Sequence, residues 1–165
     1  MKEILAVCPG SFDPVTIGHT DIIRRAAAMY DKLNVVVVFN GAKEPTFSPQ
    51  ERMEMLKKVT ADLKNVTVDS YEGLLADYMR FHGAEVIVKG LRAMSDFEYE
   101  FQQALINKKL YSGAETTFLI TNIENMYLSS SMVRTIAAMG GDISHFVPQE
   151  ILGEITAKFK KEGTL

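Results

Sequence analysis

Apolar, β-branched runs alternate with segments of helical period from one end of this chain to the other, and that alternation limits the fold more than any other feature. Parallel strands cannot be joined by tight turns, so strand and helix in strict succession imply a parallel sheet with crossover helices. The runs place strands at Ile4–Cys8, Val35–Phe39, Val66–Ser70, Val86–Val88 and Thr117–Ile120, with helices between them and two more near the C-terminal end. The expected class is α/β: a Rossmann-like, five-stranded parallel sheet with helices on both faces. At 165 residues, without internal repeats, low-complexity tracts or a composition break, the chain reads as one domain spanning 1–165.

Several helix ends are legible. Ser48-Pro49-Gln50-Glu51 combines an N-cap, a first-turn proline and a capping-box glutamate, which predicts a helix from about Pro49 to Thr60. His82-Gly83 marks the end of another, with Gly83 suited to a left-handed cap, and Gly140-Gly141 stops a third. Pro148 opens the last helix.

In an open α/β sheet the ligand sits beyond the carboxyl ends of the strands, so the chemistry is sought at Pro9–Gly18, Asn40–Phe47, Ser70–Gly73, Lys89–Asp96 and Thr121–Ser131. The first of these, Pro9-Gly10-Ser11-Phe12-Asp13-Pro14-Val15-Thr16-Ile17-Gly18-His19, is a sharp turn into a helix start. Unpaired N–H groups there favour an anion, and Gly10 and Gly18 remove side chains that would block a phosphate. It is neither the G-x-G-x-x-G turn of dinucleotide folds nor the G-x-x-x-x-G-K-[ST] loop of P-loop enzymes, which argues against both classes. Lys89 and Arg92 place two cations beside Gly90 at the end of the fourth strand, suited to polyphosphate. Ser129-Ser130-Ser131 presents hydroxyls and N–H groups at another helix start; N-capping accounts for one serine and leaves two for a ligand.

The first segment resembles the opening of the nucleotidyltransferase superfamily, whose marker is a [His/Thr]-x-Gly-His element. The plainer reading of His19 is that it satisfies a backbone group at the helix start. The string Lys89-Gly90-Leu91-Arg92…Asp96-Phe97-Glu98-Tyr99-Glu100 resembles the corresponding signature of the bacterial phosphopantetheine adenylyltransferases, as does Ser129-Ser130-Ser131-Met132-Val133-Arg134. Lys43-Glu44-Pro45, Gly73-Leu74-Leu75 and His145-Phe146-Val147-Pro148 extend the likeness along the chain. Lys89 departs from the arginine of many members, keeping the charge without the bidentate grip, and Asn125-Met126-Tyr127 departs from the usual approach to the serines.

The resemblance implies transfer of the adenylyl group of ATP to 4′-phosphopantetheine, forming dephospho-coenzyme A and pyrophosphate by in-line attack without a covalent enzyme intermediate. It implies His19 as a transition-state stabiliser, with Lys43 and Arg92 completing the catalytic set. Ser11, Lys43, Leu75 and Lys89 would bind phosphopantetheine. ATP would meet Ser11, Phe12, His19, Gly90, Leu91, Arg92, Glu100, Asn125, Met126, Tyr127, Leu128, Ser129, Ser130 and Ser131. Mg²⁺ would come with ATP, coenzyme A would act as a feedback ligand, and the assembly would be a homohexamer built as a dimer of trimers. Two alternatives stay open: a related nucleotidyltransferase with another acceptor, or a non-catalytic nucleotide-binding module.

Other features narrow the setting. Eighteen basic and 21 acidic side chains give a net charge of −3, which provides no broad positive field for nucleic acid. No apolar run approaches the ~20 residues of a membrane span, and the N-terminus lacks the pattern of a secretory signal. A lone cysteine, Cys8, reads as a small buried hydrophobe and fits a reducing cytoplasm. His82 reads as a helix-end cation and His145 as a loop residue.

Overall fold

The computed structural model describes residues 2–39 and 44–162. Among them the chain runs β1 (Leu5–Gly10), α1 (Ile17–Met29), β2 (Lys32–Phe39), α2 (Pro49–Val59), β3 (Val66–Glu72), α3 (Leu75–His82), β4 (Val86–Leu91), α4 (Met94–Leu110), β5 (Glu115–Ile120), a single 3₁₀ turn at Ile123–Asn125, α5 (Ser130–Ala138) and α6 (Gln149–Glu162). The five strands form one parallel sheet in the order β3-β2-β1-β4-β5. This is the expected α/β class.

The chain winds outward in one direction from β1 through β2 and β3, then returns to β1's other side for β4 and β5. That reversal puts a crevice between β1 and β4. The ladder between these strands comprises Ala6–Val86 and Val7–Ile87, whereas β1 runs beside β2 through Gly10 and β4 beside β5 through Leu91. Pro9, with no N–H to donate, stands where the β1–β4 ladder has ended.

Alternation along β1 sorts its side chains to two faces. Ala6 and Cys8 join a core with α1, α2, α5 and α6, including Ile23, Leu56, Val133, Ile151 and Ile155. Val7 faces the other way, with Val36 and Ile87, onto Tyr78 and Met79 of α3 and onto Ala84 and Ala114. Helices therefore cover both faces.

Local signals set the helix ends as the sequence implied. Ser48 Oγ accepts from Glu51 N (3.1 Å) and Glu51 Oε2 accepts from Ser48 N (2.7 Å), with Pro49 at the first position of α2. Gly83 ends α3 at φ +64, a conformation that costs glycine nothing.

All five strands outrun their apolar stretches, β1 to Gly10 and β5 from Glu115 among them. β2 begins at Lys32 because Lys32, Leu33 and Asn34 pair with Leu5, Ala6 and Val7. Polar Asn34 belongs there: its amide donates to the buried Tyr78 hydroxyl (3.0 Å), which donates to Asp69 (3.0 Å). β3 continues to Glu72 beside Phe39. β4 continues through Lys89, Gly90 and Leu91 beside Phe118, Leu119 and Ile120, so Lys89 and Gly90 belong to a strand and the loop begins only after Leu91.

Candidate active site

At the carboxyl ends of β1 and β4 lies a cavity of about 700 Å³, open to solvent. Its floor is the β1–α1 turn. That turn carries a non-glycine residue in the left-handed region, Phe12 at φ +50, and a cis Asp13–Pro14 bond. The Phe12 ring folds back over Gly10, where an added Cβ would come within 2.9 Å of it. The turn's own aromatic ring thus requires a glycine at position 10, a correction to the expectation that this position is clear for phosphate. At Gly18 a Cβ would meet only ordinary contacts with Thr16, Leu128 and Asn125, three residues of the cavity wall, so its bare backbone does leave room there. Gly90 also lines the cavity, and packing fixes its identity, since a Cβ would come within 2.9 Å of Ile22.

His19, half-buried in the first turn of α1, takes the place of glutamate in a capping box. The Thr16 backbone N–H donates to His19 Nδ1 (3.0 Å) while Thr16 Oγ1 accepts from His19 N (3.3 Å). An Nδ1 that accepts a backbone proton carries none itself, so the neutral ring bears its proton on Nε2. Burial, and secondarily the positive charge of Arg92, lower the ring's pKa to about 4. At neutral pH His19 is an uncharged Nε2–H donor on the cavity wall, its ring edge-on to Phe12 at 5.0 Å between centroids.

The β4–α4 junction supplies the charge. Lys89 Nζ lies 3.1 Å from Glu100 Oε2, with both side chains largely shielded, at 25% and 19% exposure. Glu100 Oε2 is closed to solvent and makes no aligned hydrogen bond, so the contact is a charge pair alone. Arg92 grips Asp96 through Nε (3.1 Å) and Nη2 (3.3 Å) and donates from Nη1 to the Leu128 carbonyl (2.8 Å). Each cation already holds a carboxylate that an incoming phosphate can replace.

The serine run divides its labour. Ser129 Oγ caps α5 by accepting from Met132 N (3.2 Å), and Ser130 Oγ donates to the Pro14 carbonyl (2.7 Å), tying α5 to the β1–α1 turn. Ser130 therefore has a scaffold role that the sequence did not disclose. Ser131 lies 3.5 Å from Ser129 Oγ, at the cavity.

Of the residues named from sequence, Ser11, Phe12, His19, Leu75, Lys89, Gly90, Arg92, Glu100, Asn125, Leu128 and all three serines line this cavity. Leu91, Met126 and Tyr127 do not. Leu91 is buried beside Ile120, Met126 follows the 3₁₀ turn, and Tyr127 packs edge-on against Phe146. Lys43 lies outside the described residues. Sequence reasoning carried Thr16 and Asp96 in its motifs without a role: Thr16 sets the tautomer of His19, and Asp96 pairs with Arg92 four residues away. It missed Tyr99, Gln103, Ile106 and Asn107, one wall of the cavity, supplied by α4.

Cys8 is buried at the end of β1, as read from sequence, and burial pushes its thiol pKa up to about 12. Among the described residues no cluster of three or more histidine, cysteine or carboxylate side chains is placed to hold a metal.

The cytidylyltransferase-like family model matches residues 7–136, from β1 into α5. A phosphopantetheine adenylyltransferase of Caldanaerobacter subterraneus is 55% identical over 95% of this chain and 98% of its own length. One from Rubrobacter xylanophilus is 54% identical over 90% of each chain, and one from Dictyoglomus turgidum 52% over 95% and 98%. The chain belongs to the phosphopantetheine adenylyltransferase family. A crystal structure from Vibrio parahaemolyticus, described as a candidate nicotinate-nucleotide adenylyltransferase, aligns over 93% of this chain and 99% of that one with a TM-score of 0.64. At 16% identity it speaks for the fold alone. Within the phosphopantetheine adenylyltransferase family, this chain carries its lysine at position 89 as half of a shielded ion pair.

Proposed function

We infer that the chain transfers the adenylyl group of ATP to the phosphate of 4′-phosphopantetheine, giving dephospho-coenzyme A and pyrophosphate. Relatives at 48–55% identity along nearly the whole chain bear the name of this activity. The observation that carries the chemistry is the gathering of His19, Lys89 and Arg92 on one cavity, with His19 held as a neutral Nε2–H donor.

On this reading an oxygen of the acceptor phosphate forms a bond to the α-phosphorus of ATP as the bond to the β-phosphate oxygen breaks. Pyrophosphate leaves with that electron pair. The nucleophile is already an anion, so no side chain need remove a proton from it, and the work is to align two anions and stabilise growing charge. His19 Nε2–H donates to a non-bridging oxygen of the α-phosphate. Arg92 exchanges Asp96 for the β- and γ-phosphates. Ser11, Lys89 and Lys43 hold the acceptor phosphate, and Leu75 borders its pantetheine arm. Phe12, Gly90, Asn125 and the segment Leu128–Ser131 surround the nucleotide. Glu100 acts from its pairing with Lys89, while Leu91, Met126 and Tyr127 lie off the cavity wall.

Mg²⁺ fits as a passenger of ATP. Among the described residues the cavity offers one carboxylate, Glu100, beside serine hydroxyls, a set that would assist an ion held by phosphates and water, and such an ion would neutralise phosphate charge. Coenzyme A, which shares the pantetheine arm and adenine nucleotide of the reactants, would compete for the same cavity. The resemblance implies a homohexamer built as a dimer of trimers, and the apolar residues that α4 exposes away from the cavity, Met94, Phe101 and Leu105, favour self-association. No described helix is long and apolar enough to cross a membrane, and an unpaired buried thiol suits the cytoplasm.

The test is pyrophosphate release from Mg-ATP with 4′-phosphopantetheine, beside an acceptor-free control and a His19→Ala variant. Release should require the acceptor and fall by about 10²–10³-fold in the variant. Release without acceptor, or none from protein that binds ATP, would reject this reading in favour of another acceptor or a binding module.

A further inference from the structure

Arg52, on α2, is among the most buried charged residues of the molecule, at 2% exposure. Burial works against its charge, offset only in part by the nearby Asp13. Among the described residues it forms no ion pair. Its guanidinium is spent on two backbone carbonyls, one of them 41 residues away: Nη1 donates to Ser11 O (2.8 Å) and Nε to Ser48 O (3.3 Å). A buried guanidinium that no carboxylate contacts is costly, and packing alone would be served better by an apolar side chain. The second carbonyl belongs to the cap of Arg52's own helix. The first belongs to the cavity floor, although Arg52 is not itself part of the cavity wall.

Holding that carbonyl has a geometric consequence. In a trans peptide the C=O and the following N–H point in opposite directions, so fixing Ser11 O toward Arg52 turns the Phe12 N–H away from it. Among the described residues that N–H has no hydrogen-bond partner. Phe12 itself sits at φ +50, a conformation a bulky residue keeps only when its surroundings impose it. Its ring then lies over Gly10 and edge-on to His19.

We propose that Arg52 is a positioning residue for adenylyl transfer: by holding the Ser11 carbonyl it aims the Phe12 N–H as a phosphate donor and seats the Phe12 ring against His19. The proposal rests on the reaction inferred above. Arg52 touches neither substrate nor reacting atoms, and it acts through the Ser11–Phe12 peptide.

The experiment compares wild type, Arg52→Met and Arg52→Lys by steady-state kinetics with Mg-ATP and 4′-phosphopantetheine, and by ¹⁵N NMR of the His19 imidazole and the Phe12 amide in the ligand-free protein. Arg52→Met should lose about 100-fold in kcat with the KM for ATP within about threefold, because misplacement at the reacting centre costs rate more than ground-state binding. The His19 ring and Phe12 amide signals should both move. Arg52→Lys, which keeps a donor for Ser11 O, should recover about tenfold of the lost kcat and return both signals toward wild type. A kcat within about threefold of wild type in folded Arg52→Met, or a large loss with both signals unmoved, overturns the proposal. Should Arg52→Met fail to fold, Arg52→Gln, too short to reach Ser11 O, takes its place: a large loss of kcat with both signals displaced upholds the proposal, and wild-type values in both overturn it. An inactive wild type would instead count against the reaction, while the NMR comparison would still read out the positioning.

Discussion

The two strand-to-helix turns that meet at the cavity are built on opposite plans. The β1–α1 turn is held from outside itself by groups from several elements. Arg52 donates to Ser11 O, Arg134 to Asp13 O and Ser130 to Pro14 O, while the Asp13 carboxylate accepts from Thr46 N (3.0 Å) and Phe47 N (2.8 Å). The β4–α4 junction is held mostly by its own charges, Lys89 with Glu100 and Arg92 with Asp96, and α4 begins at Ala93 without a side-chain cap. The first turn is fixed before any ligand arrives. The second keeps its cations on carboxylates that a polyphosphate can displace. Fixed donors and exchangeable cations are complementary needs: donors gain most from not moving, and cations must let go of one anion to take another.

The largest effect that would break this contrast lies at the exchangeable side. Arg92→Ala should lower kcat/KM for ATP by about 10²–10³-fold in initial-rate assays while leaving the fold intact, because its ties are to a partly exposed carboxylate and one carbonyl. A loss no larger than that of a surface arginine would remove Arg92 from the catalytic set.

Stability offers a sharper comparison. Asp13→Ala deprives two backbone donors, one of them at buried Phe47, of their acceptor and should cost about 2–4 kcal/mol in urea unfolding. Asp96→Ala should cost less than about 1 kcal/mol, as exposed pairs generally do. Equal costs would mean that the two turns are equally built in.

The pH response of His19 probes the fixed side of the contrast. Its folded pKa, lowered to about 4, lies below the ordinary 6.5, so between those values the unfolded chain binds a proton that the folded chain refuses. The contribution is fully present above pH 6.5 and is lost as pH falls toward 4. The loss has an upper bound of about 3 kcal/mol, reached below pH 4, and solvent at the half-buried ring reduces it. Denaturant melts at pH 7 and pH 5 should show a smaller drop in His19→Gln than in wild type.

The same contrast explains what could be read in advance. The Ser48 capping box and the Gly83 stop were legible because each is decided within a few residues. So was the parallel order of strand and helix. His19 was read as either a ligand contact or the partner of a backbone group, and the structure makes it a backbone partner whose remaining nitrogen faces the cavity. Nothing local announces that Arg52 meets Ser11, 41 residues away, or that Ser130 meets Pro14 across 116. Such contacts join polar residues to backbone carbonyls, which leave no mark in a sequence. The ends of β2 and β4 were missed for a related reason: Lys32, Asn34 and Lys89 are strand residues by virtue of their ladder partners, against their own propensity.

The short ladder between β1 and β4 has a mechanical meaning. Two ribbons, one of three strands and one of two, are joined near their amino ends by two residue pairs, while toward the mouth of the cavity side chains take over from the ladder: Ser130 donates to the Pro14 carbonyl and Arg25 to the Ile120 carbonyl. Each ribbon keeps a continuous ladder of its own to the mouth, and the seam between them holds there by side chains alone. Amide exchange would register this as matched protection within β1–β2 and within β4–β5, with breathing confined to the seam between them.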